Sequence, residues 1–108
     1  MKDGLNTIRD ERKRQIEELG FTHEKDDLYV KGELLDASTC YMLAALMLNK
    51  GKTTPEQIKS ATINDKLWPF PHEWLKITDV NSCLRKAGGL LVAEMDRRQR
   101  EEAVGLDF

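Results

Sequence analysis

The chain has 108 residues, enough for one domain and too few for two. Hydrophobic residues make up 40% and charged residues 33%, and the net charge is −2, so no basic excess points to nucleic acid. The longest apolar run, residues 41–48, is too short to span a bilayer, and the start Met1-Lys2-Asp3-Gly4 leads into charged sequence rather than a signal peptide.

The first helix is expected over residues 5–19. Leu5, Ile8, Arg12, Ile16 and Leu19 form its inward stripe, with the stem of Arg12 standing in for an apolar residue. Glu11, Gln15 and Glu18 make a polar stripe beside it, either a solvated face or one wall of a polar pocket between helices. Gly20 stops the helix, because glycine takes the left-handed conformation that ends helices. Residues 21–31 read as a polar link with a short extended piece over 28–30. His23, with Glu24, Asp26 and Asp27 nearby, lacks the glycine and spacing of a calcium loop and reads as solvated.

The second helix is expected over residues 33–49. From Leu34 onward it is apolar almost all round, which marks a central core helix. Glu33 and Asp36 open it and share a face. Such a pair can hold a hard divalent cation or simply favour the positive end of the helix dipole. Asp36 lies within the apolar stretch, and a buried Asp needs a partner, for which Arg12 and Arg97 are candidates. Cys40 here and Cys83 in the last helix read as reduced core residues of a cytoplasmic protein. Neither has a Cys or His at zinc spacing.

Residues 51–77 are the least regular. Thr54 caps a short helix over residues 55–61, with Pro55 at its first position and Gln57 closing a capping box. Pro69 and Pro71 keep residues 67–74 out of regular helix. Trp68, Phe70 and Trp74 either anchor this loop to the core or, with Lys76, stack on a base and pair with a phosphate. The last helix is expected over residues 78–103, with Thr78 as cap and Asp79 in the first turn. Val80, Leu84, Ala87, Leu91 and Met95 keep helical spacing. Gly88 and Gly89 each cost roughly 1 kcal/mol relative to alanine, a cost offset where another helix backbone comes close. Glu94 and Arg97 are one turn apart and read as an ion pair within the helix. Arg97, Arg98 and Arg100 suit the negative end of its dipole.

The expected fold is therefore all-α: a small helical bundle of three main helices, one short helix and an aromatic loop. The helix over 33–49 is apolar on too many sides for two neighbours and a loop to cover. A homodimer with a helical-bundle interface is expected.

An ordered series of short motifs carries a resemblance. It runs Glu11-Arg12-Lys13-Arg14-Gln15, Glu18-Leu19-Gly20-Phe21-Thr22, Asp26-Asp27, Gly32-Glu33-Leu34 and Tyr41. It continues through Trp68-Pro69-Phe70, Trp74-Leu75-Lys76 and Lys86-Ala87-Gly88-Gly89-Leu90-Leu91-Val92-Ala93-Glu94. Over residues 8–100 this resembles a family of small phage and prophage proteins. A second resemblance is to the MazG-like all-α nucleoside triphosphate pyrophosphohydrolases, whose paired acidic motifs bind magnesium. Here the first motif is reduced to Glu33-x-x-Asp36, and where the second would start, Asp79 is followed three residues on by Ser82.

The resemblances imply two functions, both in the cytoplasm of a bacterial host and away from membranes. The leading one is a phage-encoded accessory protein without catalytic activity, which binds a host or phage factor or a nucleotide-like small ligand. The second is a divergent magnesium-dependent pyrophosphohydrolase, with Glu33, Asp36 and Asp79 toward the metal and Lys86 or Arg97 toward phosphate. The candidate ligand contacts are Glu11, Glu18, Trp68, Trp74, Lys76, Lys86, Glu94 and Arg97.

Overall fold

The computed structural model describes residues 2–106, with side chains for residues 2–103. Five α-helices and one 3-10 turn follow in order: α1 (Gly4–Glu17), α2 (His23–Asp26), α3 (Glu33–Asn49), α4 (Pro55–Asn64), the turn His72–Trp74, and α5 (Val80–Leu106). No strand occurs among the described residues, so the fold is all-α. No helix among them is long and apolar enough to cross a membrane.

Capping explains most boundaries. The Asp3 side chain accepts from the Asn6 N–H at 2.8 Å and starts α1. Gly20, at φ 77°, ends that region, and the Phe21 N–H turns back to the Gln15 carbonyl at 2.9 Å. The Thr22 side chain caps α2 within the stretch expected as a polar link, so residues 28–30 form no extended piece. Thr54 and Gln57 form the expected capping box, and α4 runs on to Asn64. At α5 the cap is Asp79, not Thr78: the Asp79 carboxylate accepts from the Ser82 N–H at 2.7 Å. The helix then continues to Leu106.

The core is the seam between α3 and α5. Ala37, Ala44 and Ala45 on α3 meet Cys83, Ala87 and Ala93 on α5, and small side chains let the two helices lie close. The Ser38 hydroxyl donates to the Ala87 carbonyl at 2.7 Å. Asp27, just before α3, pairs with Arg100 near the far end of α5 at 2.8 Å, so the helices run antiparallel. Ile58 from α4 and Leu75 and Ile77 from the following segment close one side of this core. Cys40 and Cys83 are both buried free thiols. Burial pushes the Cys40 thiol up to about 11.

The buried face of α1 keeps Arg12 of the expected stripe, with Ile8 and Ile16 half-buried, but turns toward Glu11 and Gln15 and leaves the end leucines out. Leu5 is 78% exposed and Leu19 51%, whereas Glu11, Arg12 and Gln15 are buried. The cause is that these polar side chains all find partners. Arg12 pairs with Asp26, Glu11 pairs with Arg14 and Arg85, and the Gln15 amide reaches the Lys86 carbonyl. Partnered charge can be buried, so the ion pairs rather than the leucines set the rotation of α1. Helix α1 crosses α5 at the two glycines. A Cβ on Gly88 would lie 2.8 Å from the Ile8 side chain, and one on Gly89 2.6 Å from the Gln15 amide. The close approach there is by side chains of α1, not by its backbone.

Candidate functional site

A cavity of about 750 Å³ opens between α1, α5 and the segment that carries the 3-10 turn. That volume suits a small molecule. Its aromatic wall comes from the Pro-interrupted segment. Pro69 and Pro71 forbid helix there, so residues 67–77 lie across the end of the core instead of extending α4.

The wall is part of a connected set of rings. Tyr41 meets Trp68 edge-on at 5.6 Å between centroids, Trp68 meets Phe70 at 5.7 Å, and Phe70 meets Trp74 at 5.5 Å. Phe21 touches Phe70 and Trp74, at 5.6 and 5.9 Å, and Tyr29 joins through Phe70 at 5.1 Å. Edge-to-face pairs at these distances are worth about 0.5–1.5 kcal/mol each beyond area burial. The Tyr41 hydroxyl fixes the segment to α3. It donates to the Trp74 carbonyl at 3.3 Å and accepts from the Lys76 N–H at 3.2 Å. The Trp68 indole N–H donates to the Pro71 carbonyl at 2.9 Å. Trp74 keeps 45% of its surface open.

The opposite wall is charged. Glu11 is 2% exposed and holds two guanidinium groups, Arg14 at 2.7 Å and Arg85 at 3.0 Å. Burial pushes the Glu11 carboxyl up, but the hydrogen bonds and charges of Arg14 and Arg85 outweigh it and hold the group below its ordinary value. The same contact raises Arg14. The Lys86 ammonium donates to the Lys76 carbonyl at 2.8 Å and lies 5.5 Å from the Tyr41 ring centroid. Burial, and then Arg14, push the Lys86 amine below its usual value. Lys76, Glu18 and Glu73 complete the rim. The Gln15 amide oxygen, also in this wall, is buried without a hydrogen-bond partner.

Of the expected ligand contacts, the cavity brings together Glu11, Glu18, Trp68, Trp74, Lys76 and Lys86. Glu94 and Arg97 lie elsewhere, paired with each other at 2.7 Å and buried, with Glu101 and Arg98 as further partners. Arg14, Phe21 and Tyr41, which stand in the motif series but not among the expected contacts, also line the cavity, as does Arg85. Arg85 lies 74 residues from Glu11, and no local pattern announces that pair.

The magnesium site implied by the second resemblance does not form from the residues present. Glu33 accepts from the Lys31 N–H at 2.7 Å, and Asp36 is exposed rather than buried in the apolar stretch. The reason is that α3 turns its Asp36 side to solvent, while both candidate partners are engaged elsewhere, Arg12 with Asp26 and Arg97 with Glu94. Asp79 caps α5 at the opposite end of the antiparallel pair. Among the described residues no three His, Cys, Asp or Glu side chains gather as metal ligands.

Compared with known proteins, the chain matches no family model, no curated protein and no solved structure.

Proposed function

We propose that this chain is a phage- or prophage-encoded accessory protein that binds a nucleotide-like small ligand in the aromatic cavity, without catalysing its turnover, and that it works as a homodimer. One observation carries the reading: a single cavity joins a half-exposed indole, Trp74, to the cations Lys76, Lys86, Arg14 and Arg85. A planar base stacks on such a ring at about 1–3 kcal/mol, and a phosphate is attracted to the cations. The buried carboxylate supports the non-catalytic part. Glu11 is saturated by two arginines and acts as their counter-ion, not as a base ready to take a proton.

The test is thermal unfolding against a panel of nucleoside mono-, di- and triphosphates, with and without magnesium. At a ligand concentration 100 times its Kd, the stabilisation is about 2.7 kcal/mol. The expected result is an upward shift with one class of nucleotide, lost in Trp74→Ala. No shift with any nucleotide overturns the nucleotide reading, and capture from host lysate then tests the host- or phage-factor alternative. Release of pyrophosphate in the presence of magnesium overturns the non-catalytic part.

A further inference from the structure

Most of the positive charge in the cavity wall is already matched. Four basic side chains line the cavity, Arg14, Lys76, Arg85 and Lys86. Three carboxylates, Glu11, Glu18 and Glu73, line it too and leave one net positive charge. The arginines are committed within the wall. Glu11 Oε1 accepts from the Nε of both Arg14 and Arg85, each at 3.0 Å. Its Oε2 accepts from Arg14 Nη2 at 2.7 Å and from the Gln15 amide at 3.4 Å. A carboxylate offers about four acceptor sites, so this one is full. Glu18 lies 4.0 Å from Arg14 Nη1 and adds a second negative charge beside the same guanidinium. The lysines differ. Among the described residues neither Lys76 nor Lys86 pairs with a carboxylate. The Lys86 ammonium gives one N–H to the Lys76 carbonyl at 2.8 Å, and two of its three donors remain. It is held against the Tyr41 ring, whose hydroxyl binds the Trp74 carbonyl. The unmatched cation and the half-exposed indole therefore sit on one short stretch of chain. Burial and Arg14 both act against the charge on Lys86, and an anion beside it opposes both.

We infer that the cavity takes a nucleoside monophosphate, its single phosphate seated on the Lys86 ammonium, and that Glu11 sets this limit by keeping Arg14 and Arg85 neutralised. The inference rests on the nucleotide-like ligand proposed above and names its charge. A phosphomonoester carries about −1.5 to −2 charge at pH 7, with three strong acceptor oxygens. Lys86 and the exposed Lys76 balance that charge and supply donors to those oxygens. Each further phosphate adds negative charge where the arginines are already matched to Glu11. It finds no unmatched cation in a wall that holds three carboxylates. Partly buried charges are screened less than exposed ones, so the repulsion persists at physiological salt.

Isothermal titration of the full chain without magnesium decides this. The probes are the nucleosides of the four common bases and their mono-, di- and triphosphates. For the base that binds best, the monophosphate is expected to bind about 10-fold more tightly than the nucleoside and about 10-fold more tightly than the triphosphate. Lys86→Met is expected to cost the monophosphate about 10- to 100-fold and the nucleoside far less. Glu11→Gln frees the guanidinium groups, so the triphosphate is expected to gain on the monophosphate, with circular dichroism as the fold check. Glu18→Gln, at a side chain 68% exposed, is expected to shift the ratio the same way by less, and it reads the charge effect independently of the buried position. A triphosphate that binds the wild type more tightly than the monophosphate overturns the inference and leaves the nucleotide reading standing. So does a nucleoside as tight as its monophosphate, an equal loss of both in Lys86→Met, or a ratio unchanged in every folded carboxylate variant. No binding by any nucleoside or nucleotide overturns the nucleotide reading itself, and the inference with it.

Discussion

Arg12 and Asp26 form an ion pair withdrawn from solvent, Nη2 to Oδ2 at 2.5 Å, with side-chain exposures of 8% and 0%. The pair ties α1 to α2, and Arg12 also donates to the Phe21 carbonyl at 3.3 Å. It therefore positions Phe21 against the aromatic wall of the cavity.

Breaking the pair leaves an unmatched buried charge. Asp26→Asn is expected to destabilise the fold by about 3–5 kcal/mol. Each kcal/mol lowers the Tm of a domain this size by about 4–8 °C, which a thermal melt reads directly. The Arg12 Nε and the second Asp26 oxygen have no hydrogen-bond partner. Replacing both partners, Arg12→Met with Asp26→Leu, is accordingly expected to recover most of the loss. A double variant no better than the single one contradicts this.

Little of that arrangement was legible in the sequence. The hydrophobic pattern located α1, α3, α4 and α5, because caps such as Thr54 and stops such as Gly20 act locally. It turned Arg12 inward correctly, but it gave Leu5 and Leu19 the buried places that Glu11 and Gln15 take, because the burial of Glu11 depends on Arg85, 74 residues along the chain. The cavity was half legible. Prolines and tryptophans announced an aromatic loop, and Glu11 and Glu18 marked a polar stripe. The guanidinium pair that lets Glu11 be buried was not visible.

Acid should loosen the wall of the cavity. The folded protein holds the Glu11 carboxyl below its ordinary value of 4.5. A lowered folded value gives stability that is present above the unfolded value and lost as pH falls through the folded one. Glu94, lowered by Arg97 and Arg98 against the effect of burial, has the same sign. Asp26, whose carboxyl burial pushes up, has the opposite sign, so urea midpoints should drop on going from pH 6 to below about 4 by what Glu11 and Glu94 lose less what Asp26 gains. In Glu11→Gln the midpoint should start lower and fall less over that range. An equal fall in both proteins would show that Glu11 does not contribute to the acid limb.

The two central glycines should respond differently to alanine. Each exchange gains about 1 kcal/mol of helix propensity. At Gly88 the new methyl meets the half-buried Ile8 side chain, which can rotate toward solvent. At Gly89 it meets the Gln15 amide, which is 2% exposed and bonded to Glu11 and the Lys86 carbonyl. Gly88→Ala is expected within about 1 kcal/mol of wild type, and Gly89→Ala to be the less stable by about 1–2 kcal/mol. Denaturant unfolding of both variants reads the order, and the reverse order would contradict the close approach of Gln15.

A nucleotide-like ligand on the aromatic wall is read directly by the indole N–H signals of a 15N-labelled protein. Titration with the nucleotide that most raises the Tm should move the Trp74 indole signal saturably. The Lys86 backbone amide should move with it, while the Leu84 and Leu91 amides stay still. Trp74→Ala should weaken the affinity by about 5- to 150-fold, the worth of one stacked base. Saturable shifts centred on the outer face of α3 and α5, or none at millimolar nucleotide, would contradict the account.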